Sequence, residues 1–120
     1  MKQQRQVQRF PFHWEVAIVF DDREGKKTFH GTTHDISVMG CAILTEHNVF
    51  TSEELLVEVH LPPENTGRQP KVLKIKAKMV YTLYSADHYC FRTGLLFRSY
   101  QENALALLEA KLHQHPKLMG

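Results

Sequence analysis

Long apolar stretches are missing from this chain. No run of about 18 apolar residues occurs in its 120, which excludes a membrane-spanning helix. The first nine residues are polar and glutamine-rich and contain no apolar h-region, so they do not read as a signal peptide. Cysteine is scarce. Cys41 and Cys90 both lie in strand-like stretches, and without a secretion signal they read as buried thiols rather than a disulfide. Metal patterns are absent too. Eight histidines occur, yet there is no H-E-x-x-H and no C-x-x-C. His30 and His34 are four apart, a spacing that in a strand only returns both to one face. No G-x-S-x-G elbow, P-loop or paired-carboxylate pattern is present, so the chain is not read as an enzyme. Excess charge is small, 15 basic against 13 acidic residues, and demands no nucleic-acid partner. Together these absences describe a cytoplasmic protein with no membrane insertion, no metal and no catalytic centre.

What is present is a core: 42% of the residues are hydrophobic, enough for one domain of this length. Trp14, Val16, Ile18 and Phe20 alternate along a first strand, His13 to Phe20, closed by a turn that ends in Gly25. A threonine-rich second strand runs from Lys26 to Ile36, and a short third from Cys41 to Thr45. Leu55 to Leu61 forms a fourth, stopped by Pro62 and Pro63, and a loop follows to Pro70. In the fifth, Val72 to Tyr84, alternation puts Leu73, Ile75, Ala77, Met79 and Tyr81 on the core side and Lys74, Lys76 and Lys78 on the solvent side. His88 to Phe97 is the sixth. The period then becomes helical: Ala104, Leu105, Leu108, Lys111 and Leu112 share a stripe, with Ser99 as N-cap and Glu102 completing a capping box.

Two short motifs carry the chemistry. Arg5 and Arg9 form R-Q-V-Q-R on the cationic arm before the first strand. Asp35, Ser37 and Gly40 form D-I-S-V-M-G where the second strand ends. Guanidinium forks bind phosphate, or the O6/N7 edge of guanine, with two parallel hydrogen bonds. A carboxylate accepts from the N–H donors of guanine, and glycine allows close backbone approach. The pattern therefore suits an anionic ligand with guanine bases. Each half has a plainer reading: arginines on a terminal arm are ordinarily solvated, and Asp–Ser–Gly builds a corner in which Gly40 takes a positive φ or a bulge. Tyr81 could stack on a base, although its alternation assigns it to the core. The lysine stripe has no aromatic residue on its face, which argues against a nucleic-acid-binding barrel.

Arg5/Arg9 followed by Asp35/Ser37/Gly40 resembles the PilZ domain, a bacterial receptor module for cyclic di-GMP whose motifs are R-x-x-x-R and D/N-x-S-x-x-G. F-R-T-G-L-L-F, ending at Phe97, looks like the last barrel strand of that family. The resemblance implies an all-β fold dominated by a six-stranded antiparallel barrel over residues 10–98. A flexible arm over 1–9 would precede it, and an amphipathic helix over 99–115 would pack on it. It implies cyclic di-GMP as ligand, held by Arg5, Arg9, Asp35, Ser37 and Gly40, with the arm loose until the ligand binds. Output would pass to an effector protein in motility, pilus function or exopolysaccharide production. The alternative is an adaptor of the same fold that does not bind the nucleotide. Gln4 stands where many members carry another arginine.

Overall fold

The computed structural model of the chain describes residues 7–22, 24–63 and 71–114. Six strands precede one helix: β1 Glu15–Asp22, β2 Gly25–Ile36, β3 Gly40–Thr45, β4 Leu55–Leu61, β5 Lys71–Ser85, β6 Cys90–Tyr100 and α1 Ala104–Leu112. Every pairing is antiparallel, and the order β1-β2-β3-β6-β5-β4 closes into a barrel through β4 and β1. Closure removes the free edges that an open sheet would expose.

The interior follows from alternation. Val16 and Ile18, Val57 and Val59, and Leu73, Ile75 and Ala77 are fully or almost fully buried, while Lys74, Lys76 and Lys78 face solvent. Each buried aliphatic side chain contributes roughly 1.5–3 kcal/mol of transfer free energy. Ala104, Leu108 and Leu112 of α1 complete the same core. At the β1–β2 turn, Gly25 has φ +118°, a backbone region that favours glycine.

The helix start differs from the sequence expectation. Ser99 and Tyr100 remain in β6, paired with Lys76 and Ile75, so the ladder engages the backbone that a capping box would need. Glu102 takes φ +53°, and Asn103 is the N-cap, with no side-chain cap bond. A second departure is larger. Three β-bulges interrupt the ladders: one in β2 between Thr33 and Asp35, one in β5 between Met79 and Tyr81, and one in β6, where Arg98 lies between the partners of Lys76 and Ala77. The first two insert an unpaired residue, His34 or Val80, and so turn the residues after it to the opposite face.

Both cysteines are free thiols; Cys41 is buried and Cys90 half-buried. Burial, then the nearby Asp35 carboxylate, pushes the Cys41 thiol up to about 12. Burial, then the charge of Glu109, pushes Tyr100 up to about 12, with its hydroxyl donating to the Val38 carbonyl. Both groups hold their protons more tightly in the folded chain. Their stabilisation is therefore complete below the unfolded values of 9.0 and 10.0 and is lost as pH rises toward 12. Urea unfolding between pH 8 and 11 should show stability falling above pH 9. The slope approaches about 1.4 kcal/mol per pH unit for each group released, and Cys41→Ala should remove the component that begins near pH 9.

Candidate functional site

The β2 and β5 bulges build the site. Asp35 pairs with Ala42, Ala42 with Gly94, and Gly94 with Tyr81, a row across β2, β3, β6 and β5 on the outer face of the barrel. Without the β2 bulge Asp35 would share the inward face of buried Thr33. The β5 bulge likewise takes Tyr81 out of the core to which alternation assigns it. Small residues separate the two large ones. A Cβ on Gly94 would lie 2.3 Å from the Tyr81 ring, so the ring rests directly on the Gly94 backbone.

Asp35 is the electrostatic centre. Its side chain is 14% exposed, and Arg9 Nη2 donates to Oδ1. His34 Nδ1 lies 3.0 Å from Oδ2, which places the ring hydrogen on that nitrogen, donated to the carboxylate. Arg92 Nη2 is 3.5 Å from the same oxygen, and Arg92 Nε donates to the Tyr81 hydroxyl at 3.1 Å. The guanidinium of Arg92 thus reaches both ends of the row. The Tyr81 hydrogen bond is the main cause of its raised pKa, opposed by burial. One carboxylate beside two guanidiniums leaves a net positive site.

Arg9 reaches Asp35 because the chain after it is stitched down. Phe10 and Ile36 exchange backbone hydrogen bonds of 2.8 and 2.9 Å. Phe10, Phe12 and Trp14 then stack at ring spacings of 5.4 and 5.3 Å down to the core. Arg9 is accordingly seated on Asp35, although its side chain is half exposed. Arg5 and most of the expected arm lie outside the described residues.

Ser37 and Gly40 have a different place. Ser37 is 1% exposed, and its Oγ accepts from Met39 N at 3.0 Å and donates to the Gly40 carbonyl at 3.3 Å. The hydroxyl is engaged inside the β2–β3 turn and is not among the Arg9–Asp35–Arg92 group. Gly40 has neither the positive φ nor the bulge expected of it. A Cβ there would fall 2.2 Å from the Leu95 carbonyl oxygen, so glycine is required for β3 to approach β6. Beside the row lies a shallow cavity of about 210 Å³ bordered by Arg9, Met39, Val80, Tyr81 and Leu96. That volume is below the roughly 300–1,000 Å³ of whole-ligand pockets; it fits part of a ligand, such as the face of one base.

Arg92 and His34 were missed by the sequence motifs. Arg92 lies in F-R-T-G-L-L-F, which reads as a barrel strand and not as a site; it becomes significant because β3 carries Leu44 opposite it and brings β2 alongside. Among the described residues, no group of three or more His, Cys, Asp or Glu side chains is placed to hold a metal ion. Among them, too, no helix is long and apolar enough to cross a membrane.

A family model, the PilZ domain, matches residues 3–114. The chain belongs to the PilZ domain family. Solved structures agree with that fold. The inhibitor of motility MotI/DgrA of Bacillus subtilis superposes with TM-score 0.73 at 19% identity, over 96% of this chain and 52% of its own. The PilZ domain of YcgR from Escherichia coli, solved with c-di-GMP, gives 0.51 at 14% identity, over 92% of this chain and 87% of its own. The K. pneumonia MrkH–c-di-GMP complex gives 0.50 at 14% identity, over 98% of this chain and 51% of its own. This chain therefore spans about half the length of the MotI/DgrA and MrkH chains it resembles. No curated protein matches it significantly. Within the PilZ motifs, Arg9 and Asp35 form the ion pair described above, while Ser37 and Gly40 shape the turn beneath it.

Proposed function

We propose that this PilZ domain is a non-enzymatic receptor for cyclic di-GMP that changes shape on binding and so regulates an effector protein. The observation that carries the reading is the outward row Asp35–Ala42–Gly94–Tyr81 with Arg9 already seated on its carboxylate. The ligand found in the E. coli and K. pneumonia neighbours suits that row. Its two phosphodiester charges complement the guanidiniums, and its guanine N–H donors complement Asp35.

Binding proceeds by exchange of partners. Arg9 leaves Asp35 for a phosphate, and the carboxylate accepts from guanine instead, so no buried charge is left unpaired at either stage. Tyr81 offers its ring to the base face beside the shallow cavity. Ser37 and Gly40 act through the turn that aims Asp35. Arg5 joins from the arm. Moving Arg9 redraws the surface around the β2–β3 turn, and this redrawn surface is what an effector in motility, pilus or exopolysaccharide output would read.

Calorimetric titration of cyclic di-GMP tests the reading. Micromolar or tighter binding is expected, about −8 kcal/mol or better, and Arg9→Ala should weaken it by about 30-fold, near 2 kcal/mol. Absence of binding at high ligand concentration would leave a PilZ adaptor that works without nucleotide.

A further inference from the structure

We infer that Arg92, paired with Asp35, selects guanine over adenine at this site; the inference rests on the cyclic di-GMP reading above. Arg92 belongs to neither sequence motif. It stands on β6 two residues before Gly94, and its guanidinium lies between the Tyr81 hydroxyl at 3.1 Å and Asp35 at 3.5 Å. It is 29% exposed, so it is held rather than free in solvent.

Arginine carries five N–H donors. In Arg92, Nε is engaged by Tyr81 and Nη2 faces Asp35. Nη1 comes 3.5 Å from His34 Nδ1, which already holds a hydrogen for Asp35 and has no lone pair to offer. The other donors have no acceptor among the described residues, and the half-buried guanidinium therefore has donors to offer a ligand acceptor.

The neighbouring carboxylate says which acceptor. Guanine presents, in sequence around one side, two N–H donors at N2 and N1 and then two acceptors at O6 and N7. Asp35 and Arg92 side by side present acceptor then donor, the matching complement. Adenine reverses the middle of that sequence: a bare N1 lone pair would face the carboxylate, and the N6 amino group would face the guanidinium. Both contacts would then be mismatched, and unpaired polar groups are what make such discrimination steep. His34 fixes the Asp35 carboxylate and Tyr81 fixes the Arg92 fork, so the pair is set before the base arrives.

The test is a titration of cyclic di-GMP and cyclic di-AMP into wild type, Arg92→Ala and Arg92→Lys, with thermal melts of each. Wild type should prefer cyclic di-GMP by about 100-fold or more. Arg92→Ala should lose about 30-fold or more for cyclic di-GMP while its affinity for cyclic di-AMP stays unchanged. Arg92→Lys keeps the charge without the fork and should lose selectivity like the alanine variant. Equal losses for both nucleotides would make Arg92 a phosphate contact and overturn the inference, as would unchanged affinity for cyclic di-GMP. Should Arg92→Ala melt early, Arg92→Lys and Arg92→Gln decide. Wild type that binds neither nucleotide would overturn the receptor reading itself, an outcome separate from a receptor that binds both equally.

Discussion

Asp35→Ala should abolish cyclic di-GMP binding, lowering affinity by more than about 100-fold, near 3 kcal/mol, while leaving a folded but less stable barrel. Three cationic or proton-donating side chains converge on this carboxylate: Arg9 on Oδ1, His34 and Arg92 on Oδ2. Removing it takes away the acceptor for guanine and the charge that holds the guanidiniums together. Breaking a buried pair by deleting one partner is costlier than never having had the pair. Because Arg9 and Arg92 can move out to water, the stability loss should stay near 2 kcal/mol, below the 3–5 typical of fully buried pairs. Asp35→Asn separates charge from shape. It keeps one acceptor oxygen, as the D/N of the PilZ motif admits, so it should recover much of the stability and bind better than Asp35→Ala, yet short of wild type because the charge is gone. Chemical unfolding and titration on the same samples check both statements. An Asp35→Ala variant that binds like wild type would remove Asp35 from the site.

Gly40→Ala should be the most destabilising single methyl addition at any described glycine. The added Cβ would sit 2.2 Å from the Leu95 carbonyl oxygen and 3.2 Å from its carbon, both backbone atoms of the paired strand. Relief requires β3 and β6 to part, and they meet along one seam of a closed barrel, where Cys41 pairs with Leu95 and Ile43 with Thr93. Overpacking of this kind costs about 3 kcal/mol, a fall in Tm of roughly 10–15 °C for a domain of this size. Gly94→Ala is the informative contrast. The atoms nearest its Cβ would all belong to the Tyr81 ring, a side chain able to rotate away. Stability should change little, but Tyr81 would be displaced and with it the hydroxyl that anchors Arg92. Gly40→Ala should thus act on melting and Gly94→Ala on binding. Equal melting temperatures for Gly40→Ala and wild type would show that the seam can yield.

Alternation with period two placed all six strands, and the change of period placed α1, because each residue's preference for core or solvent is expressed locally along its own segment. The lysine face of β5, the buried Trp14 and the alternation of β4 are of this kind. The paired motifs located Arg9, Asp35 and the β2–β3 turn for the same reason: they are short stretches whose chemistry travels with them. The outward placement of Tyr81 was not legible, since alternation assigned it to the core. A bulge depends on what the neighbouring strand offers, and a single unpaired residue, Val80, reverses the face of everything after it. Ser99 and Glu102 spell a capping box, yet pairing with β5 decides otherwise. Arg92 is 57 residues from Asp35 in the chain, and only the closed order β2-β3-β6-β5 brings them to 3.5 Å. The sequence by itself determined the elements, the core and the two motifs, all read within a few residues. Tertiary structure alone decided which side chains meet across strands, since register and bulges are set by pairing partners far along the chain.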